Sequence, residues 1–383
     1  MIKTPSTKEI LSILFSYLVN HYDHERFPDF EAVYQFILKE GEQTFCYYIS
    51  VSKRKAEYHE GEHESPSIKI YSPVSIWLDI ASGRLNGLWG LFTRKYRIEG
   101  PLSYLKQMNK VLGKKIEISG INEEIAEFEN PKKKTWKKPD KVLVINGSPR
   151  QNNGFTFFYL QYLLKGFEEA GAEIEVVNIY DKHLNIEPCR GCFTCWTKTD
   201  GVCMLEDDAN HLVDKINNAY LTVYAFPLYI DSIPAKLKAL LDRRFINLLP
   251  YFIPYHNYHN LTRHPLRNKK ERYMVLFSVN GFPEIEHFKP LTEIFKGIAR
   301  NSHTPLIATI LRPGAEALYV VPYGKNYLER VLKSLKQAGK EIIEKGEVSK
   351  NITKAISKNN IPLAAWREGT NWYWHKKRGR NDG

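Results

Sequence analysis

The chain has 383 residues and a formal net charge of +12, too long for one compact core and of ordinary size for two domains. Its positive excess lies largely in runs such as Lys132-Lys133-Lys134 and Lys376-Lys377-Arg378, a pattern of solvated linker or tail that argues against nucleic acid as the partner. No basic stretch followed by an apolar signal region opens the chain, and no apolar run approaches the ~18 residues of a transmembrane segment. A soluble, cytoplasmic protein is therefore expected. In that compartment thiols stay reduced, so grouped cysteines read as a metal or redox site rather than a disulfide framework.

Ser6-Thr-Lys-Glu9 offers a capping box to a first helix in which Ile10, Leu14, Tyr17 and Leu18 recur at helical spacing. Strands are predicted at Thr44 to Val51, Ser67 to Tyr71 and Lys95 to Ile98, with a helix from Val74 to Ser82 stopped by Gly83 and another from Pro101 to Leu112. This first part is an α+β domain, residues 1–122. Trp77, Leu85, Leu88 and Trp89 read as core. The segments Ile68-Lys-Ile-Tyr-Ser-Pro, Trp77-Leu-Asp-Ile-Ala-Ser-Gly83 and Tyr96-Arg-Ile-Glu-Gly100, in that order, resemble the sterol-carrier-protein family. Pro101 departs from that family's more usual acidic residue. The resemblance implies a curved sheet covered by helices around an apolar tunnel, hence a hydrophobic small-molecule ligand.

Residues 123–140 turn Glu-rich, then Lys-rich, with Pro131 and Pro139 as breakers, and form a basic linker. Lys141 to Ser148 then reads as a buried parallel strand running into a loop, followed by a helix from Phe155 to Ala170. Backbone N–H groups at that helix start, with Ser148, Arg150 and Thr156, suit a phosphate. The loop fits neither G-x-G-x-x-G nor the Walker pattern, which argues against a nucleoside triphosphate. A second strand runs from Ala172 to Ile179.

Next come Cys189, Cys192, Cys195 and Cys203, four of the chain's five cysteines. Three thiolates at successive C-x-x-C intervals wrap one face of a compact inorganic cluster, and a fourth after Gly201 closes the other. Zinc knuckles usually stand farther apart. Asp207 and Asp208 read as caps of the following helix. A third strand, Tyr220 to Ala225, ends in Phe226-Pro-Leu-Tyr-Ile-Asp-Ser-Ile-Pro-Ala235 before a helix from Lys236 to Arg244. A fourth, Arg272 to Val279, ends in Asn280-Gly-Phe-Pro-Glu284, and a fifth spans Pro305 to Leu311. In an open α/β sheet these loops share the rim beyond the strand ends. His183, His211 and His287 read as surface or capping residues. The aromatic segment Phe245 to Arg267, with Tyr251, Phe252, Tyr255, His256, Tyr258 and His259, reads as a lid or partner surface. The tail, 351–383, carries Trp366, Trp372 and Trp374 beside basic residues. It either docks on an anionic membrane, folds back on the body or stays disordered.

The loop Gly147-Ser-Pro-Arg-Gln-Asn-Asn-Gly-Phe-Thr156 and the text from Pro227 to Arg243 resemble the NADPH-dependent FMN reductase family, over Lys141 to about Ser349. Phe155 replaces a small polar residue of that family's loop. The cysteine pattern is similar to its iron-sulfur flavoprotein branch. The resemblance implies an α/β flavodoxin-like, doubly wound five-stranded parallel sheet over 141–350. FMN would be held by Ser148, Arg150, Asn152, Asn153, Gly154, Phe155 and Thr156, by Pro227, Leu228, Tyr229, Ile230 and Asp231, and by Asn280, Gly281 and Phe282. NAD(P)H would be the donor and the four cysteines would bind a [4Fe-4S] cluster, although similar chains keep such cysteines without one. A homodimer or tetramer is implied as well. The fusion suggests an FMN-dependent oxidoreductase acting on a hydrophobic acceptor held by the first domain. The alternatives are a lipid-binding protein whose flavodoxin-like half only docks, and an electron carrier with a redox protein partner.

Overall fold

The computed structural model describes residues 6–22, 24–81, 85–112, 136–255, 258–316, 325–359 and 361–378. The helix stop at Gly83, the linker as far as residue 135, His256 and residues 379–383 lie outside them, as do the side chains of Tyr258 and His259. The chain divides into two compact units, residues 1–119 and 120–383.

In the first unit helix α1, Thr7–Asn20, starts on a complete capping box. The Glu9 N–H donates to the Ser6 hydroxyl and the Ser6 N–H donates to the Glu9 carboxylate. Strands β1 (Ala32–Glu40), β2 (Gln43–Ser52), β3 (Lys55–Glu60), β4 (Ile68–Pro73) and β5 (Arg97–Glu99) form one mixed sheet in the order β3-β2-β1-β4-β5, with only β1 and β4 parallel. Phe36 of β1 meets Phe15 of α1 at 4.9 Å and Trp77 of helix α2 (Val74–Ala81) at 4.7 Å, so both helices cover the face toward which Phe36 points. Gln35 points the other way and is also buried. Its amide donates to the Tyr47 and Gly61 carbonyls and its oxygen accepts the His63 N–H. Burial of both faces blurs the period of two in β1, which is why this central strand escapes a reading by alternation. Helix α3 (Gly87–Phe92) leaves Leu88, Trp89 and Phe92 exposed. That corrects the core reading of Leu88 and Trp89; Trp77 is core as expected. Helix α4 spans Leu102–Val111.

The second unit is built on five parallel strands, β6 (Lys141–Asn146), β7 (Glu173–Asn178), β8 (Leu221–Pro227), β11 (Tyr273–Val279) and β12 (Leu306–Arg312), in the order β12-β11-β8-β6-β7. Successive residues of β6 serve opposite cores. Val142 and Val144 pack with α5 (Phe155–Glu169), while Leu143 and Ile145 pack with α7 (Asp208–Asn218) and α8 (Ala235–Arg243). A one-turn helix, α6 (Thr194–Thr197), lies within the cysteine segment. Helix α9 (Lys289–Asn301) joins the α7–α8 side and α10 (Lys325–Lys345) the α5 side. There α5 and α10 approach at glycines: a Cβ on Gly166 would lie 2.0 Å from the Lys336 carbonyl oxygen. Trp136, placed in the linker by sequence, donates its indole N–H to the Ile343 carbonyl and packs edge-on to Tyr273. The aromatic segment after α8 contains the antiparallel pair β9 (Ile253–Tyr255) and β10 (Tyr258–Arg263). Helices α11 (Lys350–Ser357) and α12 (Leu363–Lys377) follow, and Trp366 of α12 folds back against Gly314.

Numbered within this sheet alone, the strand order is 2-1-3-4-5, the flavodoxin-like arrangement. The order in which successive strands are laid down reverses between β6 and β8, and ligands of such sheets bind outside the carboxyl ends of the strands at that switch point.

Candidate functional site

Three loops leave the carboxyl ends of the adjacent strands β6, β8 and β11 and form one rim. In the first, Asn146 is buried and its side-chain oxygen accepts the Ser148 N–H at 3.1 Å, turning the chain off the strand. Ser148, Gly154 and Thr156 are buried, while Arg150, Asn152 and Asn153 are exposed and Phe155 is half-buried. A Cβ on Gly154 would stand 2.9 Å from the Ser148 hydroxyl, so glycine keeps open the cradle at the start of α5. No side chain caps the first turn of α5, whose N-terminal end carries the positive pole of the helix dipole.

The second loop is a tight turn in which Tyr229 and Ser232 exchange backbone hydrogen bonds at 3.2 and 3.0 Å. Ile230 and Asp231 at its tip both have left-handed backbone, φ +46° and +54°. For a β-branched residue that is a strained conformation. Pro227 and Leu228 are half-buried, and the Leu228 N–H donates to the Val279 carbonyl, tying this loop to β11.

Asn280 opens the third loop. Its side chain is 7 % exposed, yet neither its amide nitrogen nor its oxygen has a hydrogen-bond partner. Next to it, Gly281 faces open space. Phe282 is exposed and stacks on His287 at 4.3 Å. His287 lies 3.8 Å from Asp231 of the second loop and 3.8 Å from Glu284, which brings to the rim a histidine that sequence reads as surface. The tail reaches the same loop, where Arg367 meets Glu284 at 3.3 Å.

These features fit a planar, phosphate-bearing cofactor. Buried polar groups are nearly always paired, so Asn280 offers an unused donor and acceptor beside a glycine-lined gap. The phosphate cradle at the end of β6 stands two strands away, with β8 between.

The four cysteines gather at one cavity, which Met204, Phe245 and Arg243 also line. Gly191 and Phe193 both have left-handed backbone, φ +62° and +55°, and this winds the C-x-x-C segment so that its thiols converge. Burial, then the neighbouring Cys203, Cys189 and Cys192, push the Cys195 thiol up. Hydrogen bonds from the Thr194 hydroxyl and N–H hold the Cys192 thiol below the usual range. All four are free thiols. Among the described residues no three His, Cys, Asp or Glu side chains close around a single ion. Four thiols at one cavity are a soft donor set of the kind that iron-sulfur clusters and structural zinc both take.

Asp208 lies in the first turn of α7 and Asp207 stands at its N-cap. The Asp207 carboxylate is turned to Arg243 of α8 and to the Glu187 N–H, while Asp208 accepts the Asn185 N–H. The pair therefore stands at the helix start, as expected, and ties the cysteine segment to it as well. Arg243 was not singled out from sequence. The signal was its place three residues after Leu240 and six after Leu237, on the buried stripe of α8.

Residues 141–269 match the family described as NADPH-dependent FMN reductase, and residues 17–113 match the SCP-2 sterol transfer family. The chain joins an SCP-2-type domain to an FMN-reductase-type domain. The chain is 37 % identical over 103 residues to an iron-sulfur flavoprotein from Methanocaldococcus jannaschii, covering 27 % of this chain and 51 % of that one. It is 35 % identical over 111 residues to an iron-sulfur flavoprotein from Archaeoglobus fulgidus, covering 29 % and 46 %. The chain spans about half the length of the curated relatives it matches. Among solved structures, an FMN-dependent NADH-azoreductase from Bacillus anthracis aligns with this chain at 17 % identity and TM-score 0.40, over 54 % of this chain and 100 % of that one. No helix among the described residues is long and apolar enough to cross a membrane.

Proposed function

We propose that the FMN-reductase-type domain binds FMN on the three-loop rim and that the protein is an FMN-dependent oxidoreductase taking electrons from NAD(P)H. The observation that carries this reading is the buried, unpartnered Asn280 beside the switch point. Family and relatives support it. Bound FMN supplies the chemistry, accepting an electron pair and releasing electrons singly.

The chain's own residues then have positioning tasks. Ser148, Thr156 and the backbone donors around Gly154 hold the phosphate, with Arg150, Asn152, Asn153 and Phe155 around it. Pro227, Leu228 and the Tyr229–Asp231 turn form one wall, and Asn280, Gly281 and Phe282 the other. Asn280 satisfies its amide on the polar edge of the ring system, and Phe282 with Tyr229 limits water at the ring. No side chain has to act as nucleophile or general base.

Cys189, Cys192, Cys195 and Cys203 hold a [4Fe-4S] cluster in this proposal, which supplies a one-electron relay. The SCP-2-type domain binds the apolar acceptor, of the quinone, lipid or aromatic class. Assembly as a homodimer or tetramer and a cytoplasmic location complete the reading, with the domains at 1–122 and 141–350. Anoxic steady-state oxidation of NADH and NADPH by the FMN-loaded protein, with a quinone as acceptor, tests it. Turnover is expected with one or both donors; none with either leaves the protein a binding module.

A further inference from the structure

A second cavity, of about 350 Å³, opens at the other end of the same sheet. It lies between the end of α8 with its following turn, the face of α9, and Arg272 just ahead of β11. Its walls include Phe245, Leu266 and Ile298, with Arg244, Arg272 and Ser302 as polar groups. Arg272 is 4 % exposed and Arg244 7 %. Their visible bonds go to neutral oxygens: Arg244 Nη1 donates to the Tyr224 hydroxyl at 3.1 Å and Arg272 Nη1 to the Asn217 side-chain oxygen at 3.4 Å. The Nε of each, and the hydroxyl of Ser302, have no partner.

Among the described residues no carboxylate forms an ion pair with either guanidinium. Asp242 borders the cavity, but it pairs with Lys238 at 2.6 Å. Burial, then repulsion from Arg244, lower the Arg272 guanidinium below its ordinary value. Burial first, then Arg263, with Arg272 and Lys269 behind it, drive the imidazole of His303 down to about 4. That histidine is therefore neutral at physiological pH and adds no cation, while this corner of the domain keeps an excess of positive charge. Two guanidiniums buried side by side without a counter-charge are costly, because each loses hydration and each repels the other. An arginine fork is also the group that matches carboxylate and phosphate oxygens.

We propose that this cavity binds a small organic anion, a carboxylate or phosphate monoester on an apolar body, with Arg244 and Arg272 as its counter-charges. Ser302 supplies a further hydrogen bond, and Phe245, Leu266 and Ile298 enclose the apolar body. The volume is that of a small-molecule site, about 300–1,000 Å³. The site is separate from the flavin rim, since Arg272 precedes β11 and Asn280 follows it.

The test is calorimetric titration of the full chain with benzoate, phenyl phosphate and inorganic phosphate, with one equivalent of FMN bound so that the rim's phosphate cradle is filled and no free FMN competes for the cavity. Benzoate, which carries no phosphate, reads the cavity whatever the rim does. Saturable binding of benzoate or phenyl phosphate is expected, with the tighter of the two naming the head group. Inorganic phosphate, lacking the apolar body, should bind more weakly. Arg272→Met should weaken binding about tenfold or more, whereas Lys296→Met, on the exposed side of α9, should leave it unchanged. Without ligand, Arg272→Met should melt no lower than the wild type, since one of two like charges is gone; should it fail to fold, Arg244→Met gives the same reading. Wild-type protein that binds neither organic anion, or arginine variants that bind as tightly as wild type, would overturn the proposal.

Discussion

Arg243 grips Asp207 through two hydrogen bonds, Nη1 to Oδ2 at 2.7 Å and Nη2 to Oδ1 at 2.8 Å, with the two side chains 2 % and 1 % exposed. The same guanidinium donates to the Glu187 carbonyl ahead of the first cysteine of the group, and Asp207 accepts the Glu187 N–H. Arg243 also donates to the Leu205 carbonyl and the Asn210 side chain just past the last one. One buried ion pair thus clamps both ends of the cysteine segment to α8. Removing one partner strands the other charge, so Asp207→Ala should cost about 3–5 kcal/mol in denaturant unfolding.

The clamp has a pH signature. Burial works to raise the Asp207 carboxyl, but the bonds from Arg243 and from the Glu187 N–H outweigh it and hold the group below the usual carboxylate range. A depressed folded value means that the contribution is full above the unfolded value, about 3.9, and is lost as pH falls through the folded one. The stability gap between wild type and Asp207→Asn should therefore stay constant from neutral pH down to about 5 and narrow below about 4. A gap that widens on acidification would contradict this assignment.

Ile230 sits at the tip of the second rim loop with φ +46° and is 97 % exposed. Nothing packs on it to repay the left-handed backbone. Asparagine tolerates that conformation, so Ile230→Asn should raise stability by about 1 kcal/mol in thermal or denaturant melts. A loss of stability would show that the turn is not strained in solution.

Gly154→Ala places a methyl against the Ser148 hydroxyl, where 2.9 Å separates them before any adjustment. The change should close the phosphate cradle, weakening FMN binding about tenfold or more (~1.4 kcal/mol), with the far-ultraviolet circular dichroism unchanged. Binding equal to wild type would move the phosphate elsewhere.

Much of this architecture was legible from residue patterns, for definable reasons. Strands β6, β8 and β11 are continuous apolar runs buried on both faces, and each ends in small or turn-forming residues, so strands and rim loops were both readable. The gathering of the cysteines follows from short spacing. The Asp207–Arg243 clamp spans 36 residues of sequence, and the Arg244–Arg272 cavity joins α8 to the start of β11; no local pattern reports either. Leu88 and Trp89 look like core by composition, yet α3 turns them outward. At Asn280 sequence supplies the loop, and only the fold reveals that its amide is both buried and unpaired.

The cysteine cavity is tested by metal content. After anoxic purification the wild-type protein should contain iron and acid-labile sulfide, and Cys192→Ala should lose both. The Cys192 thiol is held below its usual range by Thr194, which favours the thiolate that ligates iron. Wild-type protein free of both elements would leave the cysteines without a cluster.

Equilibrium titration of FMN into flavin-depleted full-length protein, followed by flavin fluorescence, asks whether the three-loop rim holds FMN. Saturable quenching is expected in wild type, with sharply weaker binding in Gly154→Ala and in Asn280→Ala. Fluorescence that does not change as wild-type protein is added would contradict FMN binding at the rim.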